Sequence, residues 1–411
     1  MQPHDYTPLN PSVRGNPYPY YAVLREQAPV HFVEQLKAFA ISRHEDVQAV
    51  LKDPAVFSSK TENLQGLMFN LASVGEEFAR MIRTPALVGV DPPLHTRMRT
   101  LVSRAFTMRR VAELEPRVRA LTRRLLQALP QRGEFELLET LAVPLPVTVI
   151  AEMLGVEAER HQDFRRWSND VVNAGTAMMS RPGPHPELEA SLREFRLYLE
   201  GVIAERRARP REDLITALLQ SSEQGLLDVE EVITFVRLLL IAGNETTTNL
   251  LANGLIALVR HPEQLEKLKA RPELIPNAVE EMLRYDSPVQ GLFRFVTQDV
   301  ELSGKRIPAR SMVMPLMGSA NRDPRRYEEP ERFDVTRAQA QSVSFGHGIH
   351  FCLGAPLSRM EARVVFEELL PRLRHLSFAS DQPQEVDWAE NIVLRGPKRL
   401  RLAVELAPQG P

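Results

Sequence analysis

The stretch SFGHGIHFCLGAP at residues 344–356 contains Cys352, the only cysteine of this 411-residue chain. Three glycines and two aromatic residues surround that cysteine: Phe345, Gly346, Gly348, Phe351 and Gly354. The glycines allow a tight loop whose backbone can approach a flat or bulky group, and the aromatic rings are expected to shield the sulfur from water. A helical pattern follows, so the cysteine precedes a helix N-terminus, where free N–H groups and the helix dipole favour a thiolate. The loop therefore predicts a thiolate that serves as a ligand.

The composition excludes several classes of protein. Lys and Arg number 51 against 53 Asp and Glu, which gives a formal charge of −2, and 43% of the residues are hydrophobic. These values are those of a globular protein, and they argue against a disordered tail or a nucleic-acid-coating protein. A single cysteine also excludes an intramolecular disulfide and a multi-cysteine zinc or iron–sulfur site. Because no signal peptide and no long apolar run are visible, we expect a cytoplasmic protein with no membrane span.

Helical periodicity dominates the chain, and strand-like runs are few and short. The clearest helices are predicted at residues 111–128, 144–154, 188–207 and 273–285. Strands are predicted at residues 30–32, 38–41, 296–302, 312–316 and 400–406. Residues 181–186 are expected to form a mobile loop between two helices rather than a domain linker. The pattern predicts one large, mainly α domain spanning residues 1–411, with a small β-rich portion.

A long central helix is predicted at about residues 229–260. Asp228 can cap its N-terminus, with Glu231 reaching back in a capping box, and a His-Pro pair after Arg260 ends it. About 32 residues at 1.5 Å each make a rod of roughly 48 Å, and its first half is apolar on nearly every face. Such a helix is expected to be buried at the centre of the domain.

The segment AGNETTT at residues 242–248 interrupts this apolar pattern. Gly243 weakens the helix by about 1 kcal/mol relative to alanine, and Glu245 places an ionisable group on a buried rod. One interpretation is a groove beside the helix in which Glu245 and the hydroxyl of Thr246 relay protons. The other is a kink whose polar residues face outward. These residues alone do not decide between the two.

Taken together, the motifs resemble those of the cytochrome P450 family, the haem-thiolate monooxygenases. The positions Phe345, Gly348, Cys352 and Gly354 resemble that family's haem-ligand signature, F-x-x-G-x-x-x-C-x-G. Four further segments resemble family motifs in the expected order: DPPLHTRMR at 91–99, AGNETT at 242–247, EMLR at 281–284 and PERF at 330–333. The resemblance covers essentially the whole chain and implies the P450 fold.

The resemblance also implies roles for individual residues. It implies haem b with Cys352 as the axial iron ligand in a haem-ligand loop at residues 344–354, and Glu245 and Thr246 as the acid–alcohol pair that delivers protons. It implies four residues that hold the haem propionates: His95, Arg99, Arg294 and His350. Glu281 and Arg284 are implied to form a buried structural network with Arg332, with no catalytic role.

Positions that resemble the substrate-contact regions of the family are mostly apolar: Leu67, Phe69, Leu87, Val88, Leu238, Ile241, Ala242, Val289, Leu292, Ile392 and Val393. The same side chains could equally be ordinary core. As a pocket lining they favour a hydrophobic substrate of moderate size that is held by shape.

The expected reaction is insertion of one oxygen atom from O₂ into a hydrophobic small molecule, by hydroxylation or epoxidation. Electrons from NAD(P)H are expected to arrive through separate partners, a ferredoxin and a ferredoxin reductase, because one cysteine cannot hold a cluster. We expect a monomer of the bacterial type. Two alternatives stay open: a peroxygenase driven by hydrogen peroxide, and a haem-thiolate sensor. The sequence does not identify the substrate.

Overall fold

The architecture is mainly helical, with three small β-sheets among the described residues. The computed structural model describes residues 1–60, 75–84, 86–180, 185–222, 228–338, 342–381 and 386–407. The prediction of a mainly α fold with a small β-rich portion is confirmed.

The helices are numbered in chain order: α1 Pro11–Gly15, α2 Tyr18–Gln27, α3 His44–Lys52, α4 Glu76–Arg83, α5 Leu94–Ala105, α6 Met108–Gln127, α7 Pro144–Met153, α8 His161–Ser180, α9 Pro186–Ala208, α10 Leu214–Ser222, α11 Val229–Arg260, α12 Pro262–Ala270, α13 Ile275–Tyr285, α14 Met317–Ala320 and α15 Ala355–Leu369. All four helices predicted above lie within one to three residues of an observed helix at each end. Of the mobile loop predicted at residues 181–186, the first four residues lie outside the described part of the chain.

The strands are β1 Val30–Val33, β2 Ala38–Ile41, β3 Phe57–Ser58, β4 Arg132–Glu136, β5 Arg294–Val296, β6 Val300–Leu302, β7 Lys305–Ile307, β8 Met312–Pro315, β9 Leu373–Phe378 and β10 Arg401–Leu406. The largest sheet has the order β1-β2-β8-β5-β3, and only its β2–β8 pair is parallel. The other two sheets are β4-β10-β9 and the hairpin β6-β7.

The single strand predicted at residues 296–302 is wrong, because it is two strands in different sheets. β5 pairs with β3 and β8, whereas β6 pairs with β7. Between them, the carboxylate of Asp299 accepts the backbone N–H of Ala309 at 2.8 Å, and the N–H of Thr297 donates to the carbonyl of Val56 at 2.9 Å. These hydrogen bonds satisfy backbone groups that take no part in β-sheet pairing. The apolar pattern of the sequence does not reveal them.

The chain divides into two compact units. The first comprises Met1–Ser58, Leu114–Leu145 and Thr246–Pro411, and holds every strand of the described sheets. The second comprises Ser59–Glu113 and Pro146–Glu245 and is helical in its described part. The central helix α11 contributes to both units, with the boundary between Glu245 and Thr246.

The central helix has the predicted bounds, and the capping box is present. The backbone N–H of Asp228 donates to Glu231 at 2.9 Å, and the N–H of Glu231 donates to the Asp228 carboxylate at 2.8 Å. The helix continues without a break through residues 242–248, so the interruption in the sequence does not end it. Several apolar side chains of its first half are buried, among them Val232, Ile233 and Phe235.

A buried ion pair on α13 organises the first unit around the loop that carries the cysteine. Arg284 donates to both carboxylate oxygens of Glu281, at 2.7 and 2.8 Å, and the two side chains are 1% and 2% exposed. The same guanidinium donates to the carbonyls of Asn321, Pro330 and Arg332 at 2.8 to 3.0 Å. A pair this deeply buried is stable only when its remaining hydrogen-bonding capacity is used, as it is here.

Asn321 connects this ion pair to the cysteine loop. Its side-chain carbonyl accepts the N–H of Val343 at 2.8 Å, and its amide donates to the hydroxyl of Ser344 at 2.8 Å. Ser344 in turn donates to the carbonyl of Leu283 on α13 at 2.7 Å. The start of the loop is therefore fixed to α13 by side-chain hydrogen bonds.

Arg332 enters the network differently from the expectation. Only its backbone carbonyl contacts Arg284, whereas its guanidinium is 55% exposed and pairs with Glu329 at 3.1 Å. The guanidinium that reaches Glu281 belongs to Arg337, at 3.2 Å. The Arg332 guanidinium lies at the surface, where it binds water as well as an acid. The P-E-R-F motif does not show whether this arginine contributes its backbone carbonyl or its side chain to the network.

Replacing Arg284 with methionine should leave the buried Glu281 carboxylate with only the guanidinium of Arg337 and the backbone N–H of Asp334 as partners. We expect the free energy of unfolding to fall by about 3–5 kcal/mol, because removing one member of a buried pair strands the other charge. Arg332→Met is the matched control and should change stability by less than about 1 kcal/mol, since its ion pair is exposed. Chemical denaturation followed by circular dichroism measures both, and equal losses in the two variants would contradict this assignment.

Candidate functional site

The cysteine loop ends directly before α15. The N–H of Cys352 donates to the carbonyl of Phe345 at 2.9 Å, which closes the loop on itself. A one-turn 3₁₀ helix, Gly348–His350, lies inside this closure, and Gly346 and Gly348 both have positive φ angles, 75° and 70°. A side chain at position 348 would also place its Cβ 2.8 Å from the carbonyl oxygen of Leu51, so only glycine fits there.

The position of the sulfur favours negative charge. Cys352 is half-buried and lies three residues before the first residue of α15, Ala355, whose helix has Pro356 in its first turn. Free N–H groups and the helix dipole at this end stabilise a thiolate. A Cβ at Gly354 would lie 3.9 Å from the sulfur, so the glycine keeps space open beside it.

The aromatic residues of the loop differ in their surroundings. Phe345 is half-buried, and the guanidinium of Arg359 lies 4.4 Å from its ring centroid. Phe351, the other ring expected to shield the sulfur, is 41% exposed. Much of its surface therefore faces solvent. Arg359 is itself held by Glu280 on α13, at 2.5 and 3.0 Å.

Two of the predicted propionate ligands lie in the first unit. Arg294 is 8% exposed on β5, and one of its guanidinium nitrogens donates to the carbonyl of Phe293 at 2.8 Å. His350 is half-buried at the end of the 3₁₀ turn, two residues before Cys352. The turn therefore places an imidazole and the thiol on the same short loop.

The other two predicted propionate ligands lie on α5 in the second unit. His95 is 2% exposed, and Arg99, four residues later, is half-buried on the same face of the helix. Burial lowers the pKa of His95, and the positive charge of Arg99 lowers it further. An anion at this face would reverse the second effect, because opposite charge favours the protonated imidazole.

The polar segment of α11 has two kinds of side chain. Asn244, Thr247 and Thr248 are buried and bonded to other helices or turns: Asn244 to Ser168 at 3.2 Å, Thr247 to Ser358 at 3.2 Å and Thr248 to the carbonyl of Ala142 at 2.9 Å. Glu245 and Thr246 are only partly buried. Burial is the cause that raises the pKa of Glu245 above its usual value. This carboxyl is thereby easier to protonate near neutral pH than an exposed glutamate.

One face of the central helix is left uncovered where substrate contacts were predicted. Ala242 is exposed, and Leu238 and Ile241 are half-buried, although Leu240 beside them is fully buried. Among the other positions, Leu87 is buried and Val88 is 56% exposed. Four more are half-buried: Val289, Leu292, Ile392 and Val393. Leu67 and Phe69 lie outside the described residues.

A buried acid that the sequence analysis missed lies on α15. Glu361 is 2% exposed, its carboxyl contacts the hydroxyl of Thr247, and its Oε1 has no hydrogen-bond partner among the described residues. Burial raises its pKa from 4.5 to about 8, so it holds a proton at neutral pH. The signal in the sequence is a lone carboxylate on the apolar face of this helix, four residues after Leu357 and three before Val364.

The residues present fit a haem group by the chemistry of the donor set. A thiol at a helix N-terminus supplies a thiolate ligand, and imidazole and guanidinium groups are the partners that propionate carboxylates require. At Gly354, where a Cβ would lie 3.9 Å from the sulfur, no side chain borders it. No group of three or more histidine, cysteine, aspartate or glutamate side chains that could hold a bare metal ion occurs in the described ranges.

The chain belongs to the cytochrome P450 family, whose model matches residues 31–404. It is 41% identical to cytochrome P450 107B1 of Saccharopolyspora erythraea, over 92% of this chain and 93% of that protein. The structure of CYP109Q5 from Chondromyces apiculatus is 43% identical with a TM-score of 0.88, covering 98% of both chains. The structure of CYP109E1 from Bacillus megaterium in complex with corticosterone is 36% identical with a TM-score of 0.83, covering 96% of this chain and 100% of that one.

The recognition of the family from its motifs is thus confirmed, and so are the P450 fold and the enzyme class, a P450 monooxygenase. Members of this family are haem-iron enzymes that use O₂. Within the described part of the chain, no helix is long and apolar enough to cross a membrane.

Glu361→Gln should flatten the pH dependence of stability. A folded-state pKa of about 8 against an ordinary 4.5 means that, between these values, the folded protein binds one proton more than the unfolded chain. The free energy of unfolding of the wild type therefore falls across this interval as pH rises, by at most about 5 kcal/mol from this group. In the glutamine variant that contribution is absent. Denaturation of the haem-loaded protein at several pH values measures it.

Glu367→Gln is the matched control for this experiment. Its carboxylate is on the same helix but pairs with Arg119 and Arg363 at 2.6 and 2.8 Å near the surface. This variant should keep the wild-type slope between the two pKa values. An unchanged slope in Glu361→Gln would show that Glu361 is ionised in the folded protein.

Proposed function

We propose that the chain, acting as one P450 domain over residues 1–411, inserts one atom of O₂ into a hydrophobic small molecule, by hydroxylation or epoxidation. Electrons come from NAD(P)H through a separate ferredoxin and ferredoxin reductase, and the enzyme works as a cytoplasmic monomer. The observation that carries this proposal is the lone thiol at the N-terminus of α15 in a chain whose central helix bears an adjacent acid and hydroxyl, Glu245 and Thr246.

Cys352 is the residue that would hold the haem iron, with Phe345, Gly348 and Gly354 shaping the loop around it. His95, Arg99, Arg294 and His350 would pair with the propionates. When bound, the haem supplies the oxygen-activating chemistry, and a thiolate ligand favours cleavage of the O–O bond. The N–H groups and dipole at the start of α15 favour the thiolate over the thiol, and the thiolate is the form that binds a metal.

Glu245 and Thr246 would control proton delivery. Burial raises the pKa of Glu245, so its carboxyl takes up a proton more readily than an exposed glutamate does. The hydroxyl of Thr246 both donates and accepts hydrogen bonds, so it can pass a proton on from the neighbouring acid without carrying charge. Glu361 on α15 also holds a proton, and its carboxyl contacts the hydroxyl of Thr247, the residue after Thr246 on the central helix.

The substrate would lie against the uncovered apolar face of α11. Leu238, Ile241 and Ala242 offer apolar surface without charge, which favours a hydrophobic molecule held by shape. The corticosterone complex of CYP109E1 supports a substrate of moderate size. Water excluded from this surface upon binding would supply the main driving force.

Thr246→Ala tests the proton-delivery role. With ferredoxin, ferredoxin reductase and NAD(P)H, the variant should consume NAD(P)H at a rate close to that of the wild type. Product per NAD(P)H should fall severalfold and hydrogen peroxide should rise, because proton delivery typically contributes at least about 10²-fold to a rate. Thr248→Ala is the control, since that hydroxyl is used by the carbonyl of Ala142. Unchanged coupling in Thr246→Ala would remove the relay.

The same assay separates the alternatives. A monooxygenase requires both redox partners and O₂, whereas a peroxygenase gives product from hydrogen peroxide alone at a comparable rate. A sensor gives no product under either condition. Product formed only with the complete redox system supports the proposal, and either of the other two results overturns it.

Cys352→Ser tests the iron ligand. The reduced, carbon-monoxide-bound wild type should show the Soret band typical of a thiolate ligand. The serine variant should lose that band, because Cys352 is the only thiol in the chain. Circular dichroism of both proteins checks that the helices persist. Survival of the thiolate-type band in the variant would disprove the assignment.

A further inference from the structure

One cation of α15 lies against the cysteine loop, within the first unit. The guanidinium of Arg359 is 4.4 Å from the ring centroid of Phe345, the first aromatic residue of the loop. The carbonyl of Phe345 in turn accepts the backbone N–H of Cys352 at 2.9 Å. Two successive contacts therefore connect a positive charge to the residue that carries the thiol.

A carboxylate of α13 holds Arg359 in this position. The Nε and Nη2 of Arg359 donate to the two carboxylate oxygens of Glu280, at 2.5 and 3.0 Å. Bidentate hydrogen bonds of this kind fix the orientation of a guanidinium as well as its position, and they leave its planar face available to an aromatic ring. The two side chains are 38% and 27% exposed, so water and salt screen this pair less than a pair on the open surface.

A charge at this position bears on the reduction of the haem. Reduction transfers one electron from the reduced ferredoxin to the ferric iron, and no covalent bond forms or breaks. The haem and its thiolate ligand thereby become more negative by one unit. A nearby cation stabilises that product, and a nearby anion destabilises it. The thiolate is itself an anion, so a compensating cation beside its loop makes reduction easier.

We propose that Arg359, oriented by Glu280, is a positioning residue that acts through Phe345 and raises the reduction potential of the haem iron. Opposite charges cancel at distances that are large compared with their separation, but not at a group in contact with one of them. The ring of Phe345 is in contact with the cation. This inference rests on the proposed function, in which Cys352 is the iron ligand and a ferredoxin is the electron donor.

The reduction potential of the purified, haem-loaded protein measures this effect without a protein partner. Titration with dithionite beside a reference dye of known potential gives the ratio of ferrous to ferric haem. At a fixed potential, Arg359→Met should lower this ratio severalfold, because the cation is lost and the carboxylate of Glu280 remains. Glu280→Gln should raise the ratio severalfold, because the cation then has no counterion on α13.

Two further variants test whether charge and position matter. Arg359→Lys keeps the charge but not the bidentate, stacked geometry, so its ratio should lie between those of the wild type and Arg359→Met. Arg363→Met is the matched control. Arg363 lies one turn later on α15 and pairs with Glu367 at 2.8 Å and with Glu115. Its replacement should leave the ratio close to that of the wild type.

A double-mutant cycle tests the role of the ring. Phe345→Leu replaces the aromatic face with an aliphatic side chain that does not attract a cation in the same way. In this background, Arg359→Met should change the ratio less than it does in the wild type, because contacting residues are energetically coupled. An undiminished change would contradict transmission through Phe345.

The opposite signs of the two potential shifts separate the proposed role from its alternatives. A purely structural ion pair predicts shifts of the same sign, or none, in Arg359→Met and Glu280→Gln, together with lower stability in both. A docking site for ferredoxin predicts slower electron transfer from ferredoxin at an unchanged potential. Either result overturns the inference, whereas a lower potential in the first variant and a higher one in the second support it.

The carbon-monoxide spectrum distinguishes failure of this inference from failure of the proposed function. Each variant should keep the thiolate-type Soret band, because Cys352 is unchanged. If the band is present and the potentials do not shift, only the inference about Arg359 fails. If the wild type itself lacks the band, the assignment of Cys352 fails, and with it the proposed function and this inference.

Discussion

The ion pair between Glu281 and Arg284 is the constraint on which the cysteine loop depends. Its burial removes both charges from water, and the loss of hydration is offset only because each remaining donor and acceptor is used. The carbonyls that Arg284 binds, from Asn321 to Arg332, belong to the irregular segment before the loop. A segment without regular secondary structure has no repeating backbone hydrogen bonds of its own. The five N–H donors of the guanidinium bind its carbonyls instead.

A series of contacts leads from this ion pair to the cysteine and fixes the position of its sulfur. Asn321 fixes the start of the loop, the turn Gly348–His350 reverses it, and the bond from Cys352 to Phe345 closes it. The close approach of Gly348 to the carbonyl of Leu51 connects the loop to α3. The thiol is thereby held at the N-terminus of α15, where the helix dipole acts on it.

The central helix shows how polar groups can be placed in an apolar element without breaking it. Asn244, Thr247 and Thr248 give their hydrogen bonds to other parts of the chain, so burying them costs little. Glu245 is not compensated in this way, and its raised pKa is the result. Glu361 follows the same logic on α15: its Oε1 has no hydrogen-bond partner among the described residues, and burial raises its pKa to about 8.

The sequence by itself determined the family, the central helix with its capping box, and the position of the lone cysteine before a helix. These features are local: they depend on periodicity, on capping and on residues a few positions apart. Only the tertiary structure decided that Arg332 contributes a carbonyl while Arg337 supplies the guanidinium, that residues 296–302 serve two sheets, and that Glu361 meets Thr247. Each of these depends on which distant segments pack together, and burial, which sets the pKa of an acid or the value of an ion pair, exists only after they have done so.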